Sequence, residues 1–168
     1  MSTRSTIAIR RGPASIESIY CHFDGYPDGV GSKLISHYNS IEKVEALIRL
    51  GNVSCLREEA GDPDAKDPTR FNTRPASEAV FYGIPGYRFL REDPHPTWTV
   101  AYGRDFGEVG QEAKVTDHGG FRALCESRNS EWVYLWQDGG WHFSEGPHYD
   151  GSIGKWEPLT SESIARRS

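Results

Sequence analysis

Residues 24–31, DGYPDGVG, hold three glycines and a proline in eight positions. No strand runs through such a stretch, because glycine loses the most backbone entropy on ordering and proline has no N–H to give to a ladder. The segment therefore divides the chain into an extended part before it and a helical part after it. Before it, residues 5–11 (STIAIRR) alternate with Ile7 and Ile9 on one face, and residues 16–23 (IESIYCHF) are rich in β-formers. Gly12-Pro13-Ala14 between them is a turn signal, so an N-terminal β-hairpin is predicted. The period of two puts Ile19, Cys21 and Phe23 on one face of its second strand and Tyr20, His22 and Asp24 on the other. After the turn, Val30, Leu34, Ile35 and Tyr38 recur at helical spacing. Ser40 is a good N-cap for a second helix over 41–50, with Ile41, Val44, Leu47 and Ile48 as its apolar stripe and Gly51 where a left-handed C-terminal residue belongs.

The middle of the chain is of another kind. Residues 57–75 carry Asp62-Pro63, Asp67-Pro68 and Arg74-Pro75 among few apolar groups, which predicts a long exposed loop. Residues 76–96 mix aromatics with Pro85, Pro94 and Pro96 and give no single pattern. Residues 97–102 (TWTVAY) then read as a strand and 111–116 (QEAKVT) as its partner, joined by the connector 103–110. A short helix is predicted over 118–128, with Phe121, Leu124 and Cys125 inward. Residues 132–136 (WVYLW) are apolar on both faces and predict a central strand. Asp138-Gly139-Gly140 is a hairpin turn that returns the chain as a strand over 141–144. A loosely ordered tail follows from Glu145, with a short final helix near Ser161–Arg167. Strands and helices do not alternate strictly, so the expectation is one α+β domain over 1–168, an antiparallel sheet of hairpins packed against two or three helices.

Apolar residues make up only 36% of the 168, but aromatics reach 12%, and their large buried area argues for a real core. The net charge is −5 and no run of Lys and Arg tracks a phosphate backbone, so no nucleic-acid partner is expected. The three cysteines, Cys21, Cys55 and Cys125, are odd in number and widely spaced, which predicts neither a disulfide framework nor a zinc ribbon. No apolar run approaches the roughly 20 residues of a membrane span, and the start MSTR has no apolar core like that of a signal peptide. A cytoplasmic protein is expected.

The stretches IYCHFDGYP (19–27), AYGRDFGE (101–108) and YLWQDGGW (134–141), with the Ser-Thr-Arg-Ser start, resemble a family of small, largely uncharacterised proteins of tailed bacteriophages, prophages and mobile elements. The resemblance covers most of the chain except the region around 57–96. It implies an accessory protein that binds a host or defence component, and it carries over no catalytic residue.

Several residues are candidates for chemistry. Gly29, Gly31, Ser32 and Lys33 open a helix, where free N–H groups, the helix dipole and the lysine together suit an anion, although the order is not that of a P-loop. Arg104, Asp105 and Glu108 sit in the 103–108 turn, where Arg104 either pins the connector or offers a planar donor fork to a carboxylate or phosphate. His22 and Asp24 are the acid–base candidates. Cys21 and His22 point to opposite faces of a strand, so no metal site is expected, and no cofactor either. His118-Gly119-Gly120 has no accompanying GxSxG elbow. Trp132, Trp136, Trp141 and Trp156 are either a stacking platform or core. The reading that follows is a binding protein for a host or defence protein or a small anionic ligand. The alternatives are a small phosphoester-processing enzyme, which requires His22, Asp24, Lys33 and Arg104 to meet, and a particle-associated structural protein.

Overall fold

The computed structural model describes residues 2–65, 70 and 93–167. Their strands are β1 (Ser5–Gly12), β2 (Ser15–Cys21), β3 (Val53–Cys55), β4 (Val100–Ala101), β5 (Lys114–Thr116), β6 (Trp132–Gln137), β7 (Gly140–Glu145) and β8 (Glu157–Pro158). The helices are α1 (Ser32–His37), α2 (Ile41–Arg49), α3 (Tyr102–Phe106), α4 (His118–Ser127) and α5 (Ser161–Arg167), with one π-helical turn at Pro27–Gly31.

The strands form one sheet in the order β4-β3-β2-β1-β6-β7-β8, with β5 added to β2. The two predicted hairpins, β1–β2 and β6–β7, are present. The sheet is nevertheless not a set of antiparallel hairpins. β1 pairs β6 in parallel, from Ser5 opposite Trp132 to Ile9 opposite Trp136, and β2 pairs β3 in parallel at Cys21 and Val53. Parallel pairing needs a long crossover, and helices provide it: α1 and α2 carry the chain from β2 to β3. A central position for β6 follows from its neighbours β1 and β7.

Each face of the sheet has its own core. On one, Ile7, Ile9, Ile19 and Tyr134 pack with Leu34, Val44, Leu47 and Ile164 from α1, α2 and α5. On the other, Ala8, Ile16, Val133 and Leu135 pack with Phe121 and Cys125 of α4. Trp136 and Trp141 are buried and meet edge-on, 5.4 Å between centroids, so these two belong to the core. The indole of Trp141 donates to the Tyr38 carbonyl at 2.8 Å. The second helix begins and ends as its residues dictate: Ser40 accepts from Lys43 N–H, and Gly51 has φ +76°. Ile41, assigned to its apolar stripe, is 44% exposed.

Two other expectations are corrected. The strand expected over 97–102 is only Val100–Ala101, and it pairs β3, while β5 pairs β2. The cause is local: Asp105 Oδ2 accepts from Ala101 N–H at 2.7 Å, and the chain winds at once into α3, closed by Gly107 at φ 68°. Within the segment expected as an exposed loop, Ala60 and Arg70 are buried, while residues 66–69 and 71–75, like the ambiguous 76–92, lie outside the described residues. The tail docks through Leu159 and Ile164, both buried.

Candidate functional site

The glycine-rich turn proves to be a structural joint. Gly25 N–H donates to Thr3 O, Gly29 N–H to Tyr26 O and Val30 N–H to Asp24 O, all within 2.9 Å. The N–H of Ser32 is likewise taken by the carbonyls of Gly29 and Pro27. Of the amides proposed for an anion, those of Gly29 and Ser32 are thus spent on the protein. Tyr134 Oη, buried in the sheet, donates to Gly25 O at 2.7 Å and ties the turn to β6. Gly29 is required by close approach, since a Cβ there would lie 2.3 Å from the Asp24 carbonyl oxygen. Ser32 Oγ reaches Asp28 at 3.4 Å, Gly31 is buried beside the Tyr134 ring, and Lys33 makes no hydrogen bond or ion pair among the described residues.

Arg104 and Asp105 are equally committed. Arg104 is 7% exposed and donates to Ala60 O (2.7 Å), Thr99 O (2.6 Å) and Asp105 Oδ1 (3.0 Å) beneath the Trp98 ring. Asp105 also accepts from Arg70 Nη1 at 3.1 Å. Arg70 in turn bonds Asp93 at 2.9 Å and the carbonyls of His95 and Trp98. Two arginines and two aspartates thus knit the distant segments around 60, 70, 93 and 105. Burial alone would raise the Asp93 carboxyl, but bonds from Arg70, His95 N–H and Arg57 outweigh it and hold the group down at about 2. Glu108 is exposed beyond this network. No hydrogen bond, ion pair or ring contact joins His22, Asp24 or Lys33 to Arg104. By direct hydrogen bonds or ion pairs, the set expected for an enzyme is not brought together.

A different cluster is. On β2, Ser18 and Tyr20 share the face that carries α4, as the period of two requires, and His22 follows just beyond the strand's end. Register places Lys114 of β5 opposite Ser18. The end of α4 brings in Arg128, which donates to Ser18 Oγ at 2.9 Å, to Ser18 O at 3.4 Å and to Thr6 Oγ1 at 3.4 Å. Lys114 and Arg128, with Arg4, Tyr20 and Asn52, line a hollow of about 350 Å³ that has no carboxylate in its wall among the described residues. Arg4, Lys114 and Arg128 form no ion pair among the described residues. Burial pushes the Arg128 guanidinium down to about 10, and only Cys125 opposes it. Asn52 is fixed in the wall, accepting from Tyr20 N–H at 2.8 Å and donating to Gln111 Oε1 at 3.0 Å. The Tyr20 hydroxyl is hydrogen-bonded to His22 Nδ1 at 2.5 Å. Its pKa is raised by burial against the lowering influence of Arg4.

Three cations without a counter-charge are the arrangement that holds an oxyanion: two planar forks and a point charge. Among the described residues no three His, Cys, Asp or Glu side chains are grouped to hold a metal ion. The β2 alternation was readable in the sequence, but the convergence of Arg4, Lys114 and Arg128 was not, since the three lie far apart along the chain. Comparison with protein-family models, curated proteins and solved structures finds no match.

Proposed function

We propose that this chain is a binding protein for a small oxyanion of the phosphate type, held by Arg4, Lys114 and Arg128. The observation that carries the reading is Arg128, a half-buried guanidinium bonded, among the described residues, to two hydroxyls and a carbonyl and to no carboxylate. A buried charge without a partner is costly, and such unmet groups concentrate where a ligand completes them. The anionic-ligand expectation is kept, and its location moves from the Gly29–Lys33 turn to the α4 face. The resemblance to small phage and prophage proteins supports an accessory role in the host cytoplasm, exerted by binding a host or defence protein or by sequestering a small anionic ligand. Among the described residues no helix is long and apolar enough to cross a membrane.

Titration of the protein with orthophosphate and with pyrophosphate by calorimetry is the test. Saturable one-to-one binding that is lost in Arg128→Met and Lys114→Ala supports the reading, and no heat with either anion up to about ten millimolar, an affinity of only a few kcal/mol, overturns it. One observation favours a phosphoester-processing enzyme as a second reading: the bonded pair Tyr20–His22 stands at the edge of the same hollow, as an acid–base pair would. Turnover of a chromogenic phosphodiester, abolished by His22→Ala while phosphate binding persists, would establish it.

A further inference from the structure

The other end of α4 carries a second hollow of different chemistry. It measures about 230 Å³ and lies between the end of β1, the first turns of α4 and the segment leading into β8. Its apolar lining comes from Ile153 and Trp156, both partly exposed, over the buried Ile16 and Phe121. Its rim is cationic. Arg10 is held in place by Gln137 Oε1 at 2.9 Å and faces His118 Nε2 at 3.1 Å. Arg122 is exposed and has no hydrogen bond or ion pair among the described residues. As in the first hollow, no carboxylate lines it among the described residues, although the chain as a whole is acidic.

We propose that this second hollow binds a small aromatic monoanion, a single- or double-ring carboxylate, with the ring on Trp156 and Ile153 and the carboxylate on Arg10 and Arg122. The volume decides the size, since it is below the range of about 300–1,000 Å³ that takes drug-sized ligands. The composition decides the chemistry. Offset stacking on an indole selects a planar ring, and a guanidinium fork selects a planar carboxylate. The first hollow, with three cations and only Leu124 as an apolar wall, suits a compact multiply charged anion instead. The two sites lie at opposite ends of one helix: His118 of α4 meets Arg10, while Arg128 beyond its C-terminus meets Thr6. Those strand positions, four residues apart on β1, are separated by about 13 Å at the usual strand rise. The proposal is independent of the phosphate site.

The test titrates the full chain with indole-3-carboxylate, and with indole and acetate as the ring and the charge taken alone. The expected result is one-to-one binding of indole-3-carboxylate, with indole and acetate each at least about tenfold weaker, the size of one charge-assisted hydrogen bond. Arg122→Ala, at an exposed position outside the core, should weaken it about tenfold, and Arg10→Met by as much or more. Arg128→Met should leave it unchanged. Indole binding as tightly as its carboxylate, an affinity untouched by Arg122→Ala in a variant with unaltered circular dichroism, or displacement of the ligand by phosphate would each overturn the proposal.

Discussion

Replacing Arg128 by Met removes the charge and keeps the length of the stem. Burial holds the guanidinium at about 10, and its displacement from the ordinary value corresponds to about 3 kcal/mol of charge desolvation. The sign is that of a base with a depressed folded-state pKa: the cost is present throughout the neutral range and is relieved only as pH rises above about 10. Against it stand the hydrogen bonds to Ser18 and Thr6, of which only the one at 2.9 Å is short, so their loss is worth about 1–2 kcal/mol. Arg128→Met should therefore be more stable than the parent by about 1–2 kcal/mol in urea at pH 7. That corresponds to a rise of about 2–8 °C in Tm for a chain of this size. In the parent, phosphate at a hundredfold excess over its Kd should add about 2.7 kcal/mol, and in the variant nothing. Both effects follow from one physical statement, that the fold carries an unmatched charge for a ligand. A variant less stable by more than about 1 kcal/mol that still responds to phosphate would refute it, and would make Arg128 a strut between β1, β2 and α4.

The charge network around Asp105 should behave in the opposite way. Asp105→Ala removes the carboxylate partner of buried Arg104 and one of the two that meet Arg70, which keeps Asp93, and should cost about 3–5 kcal/mol in chemical unfolding, far more than Arg128→Met changes in either direction. Asp93, held at about 2, contributes stability that is complete above the ordinary carboxylate range and is lost as pH falls through the folded value; the loss, about 2 kcal/mol, should appear in melts from pH 5 to 2 and be absent in Asp93→Asn. At Gly61, φ is +79° and a Cβ would lie 2.3 Å from the Trp98 ring, so Gly61→Ala should lower stability by about 1–3 kcal/mol and disturb Trp98 fluorescence. Tyr134→Phe leaves the Gly25 carbonyl without its buried donor and should cost about 1–3 kcal/mol.

Where the chain carries periodicity or a cap, the structure can be read from neighbours in sequence. The β1–β2 and β6–β7 hairpins, the helix from Ser40 to Gly51 and the helix of Ser161–Arg167 all have their signals within a few residues. The strand expected over 97–102 shows the limit. Its β-formers are genuine, but Asp105 reaches back four residues to the Ala101 amide and ends the strand early, and Arg104 then fixes the turn through the Thr99 carbonyl and, across forty-four residues, the Ala60 carbonyl. Similarly, the charged residues of 57–75 predict exposure, yet Arg70 is buried because Asp93 and Asp105 wait for it.

The segment 24–31 divides the two contributions. By itself the sequence determined that the chain must break there between a strand and a helix, because glycine and proline cannot continue the strand. The carbonyls of Tyr26 and Asp24 take the amides of Gly29 and Val30 within the segment itself, whereas the hold of Thr3 on the Gly25 amide and of Tyr134 on its carbonyl was a tertiary matter. The alternation of Ser18, Tyr20 and His22 was likewise local, a consequence of the β pleat. That Arg4, Lys114 and Arg128 would gather over that face depended on the register of β5 and the landing of α4, and only long-range packing sets those.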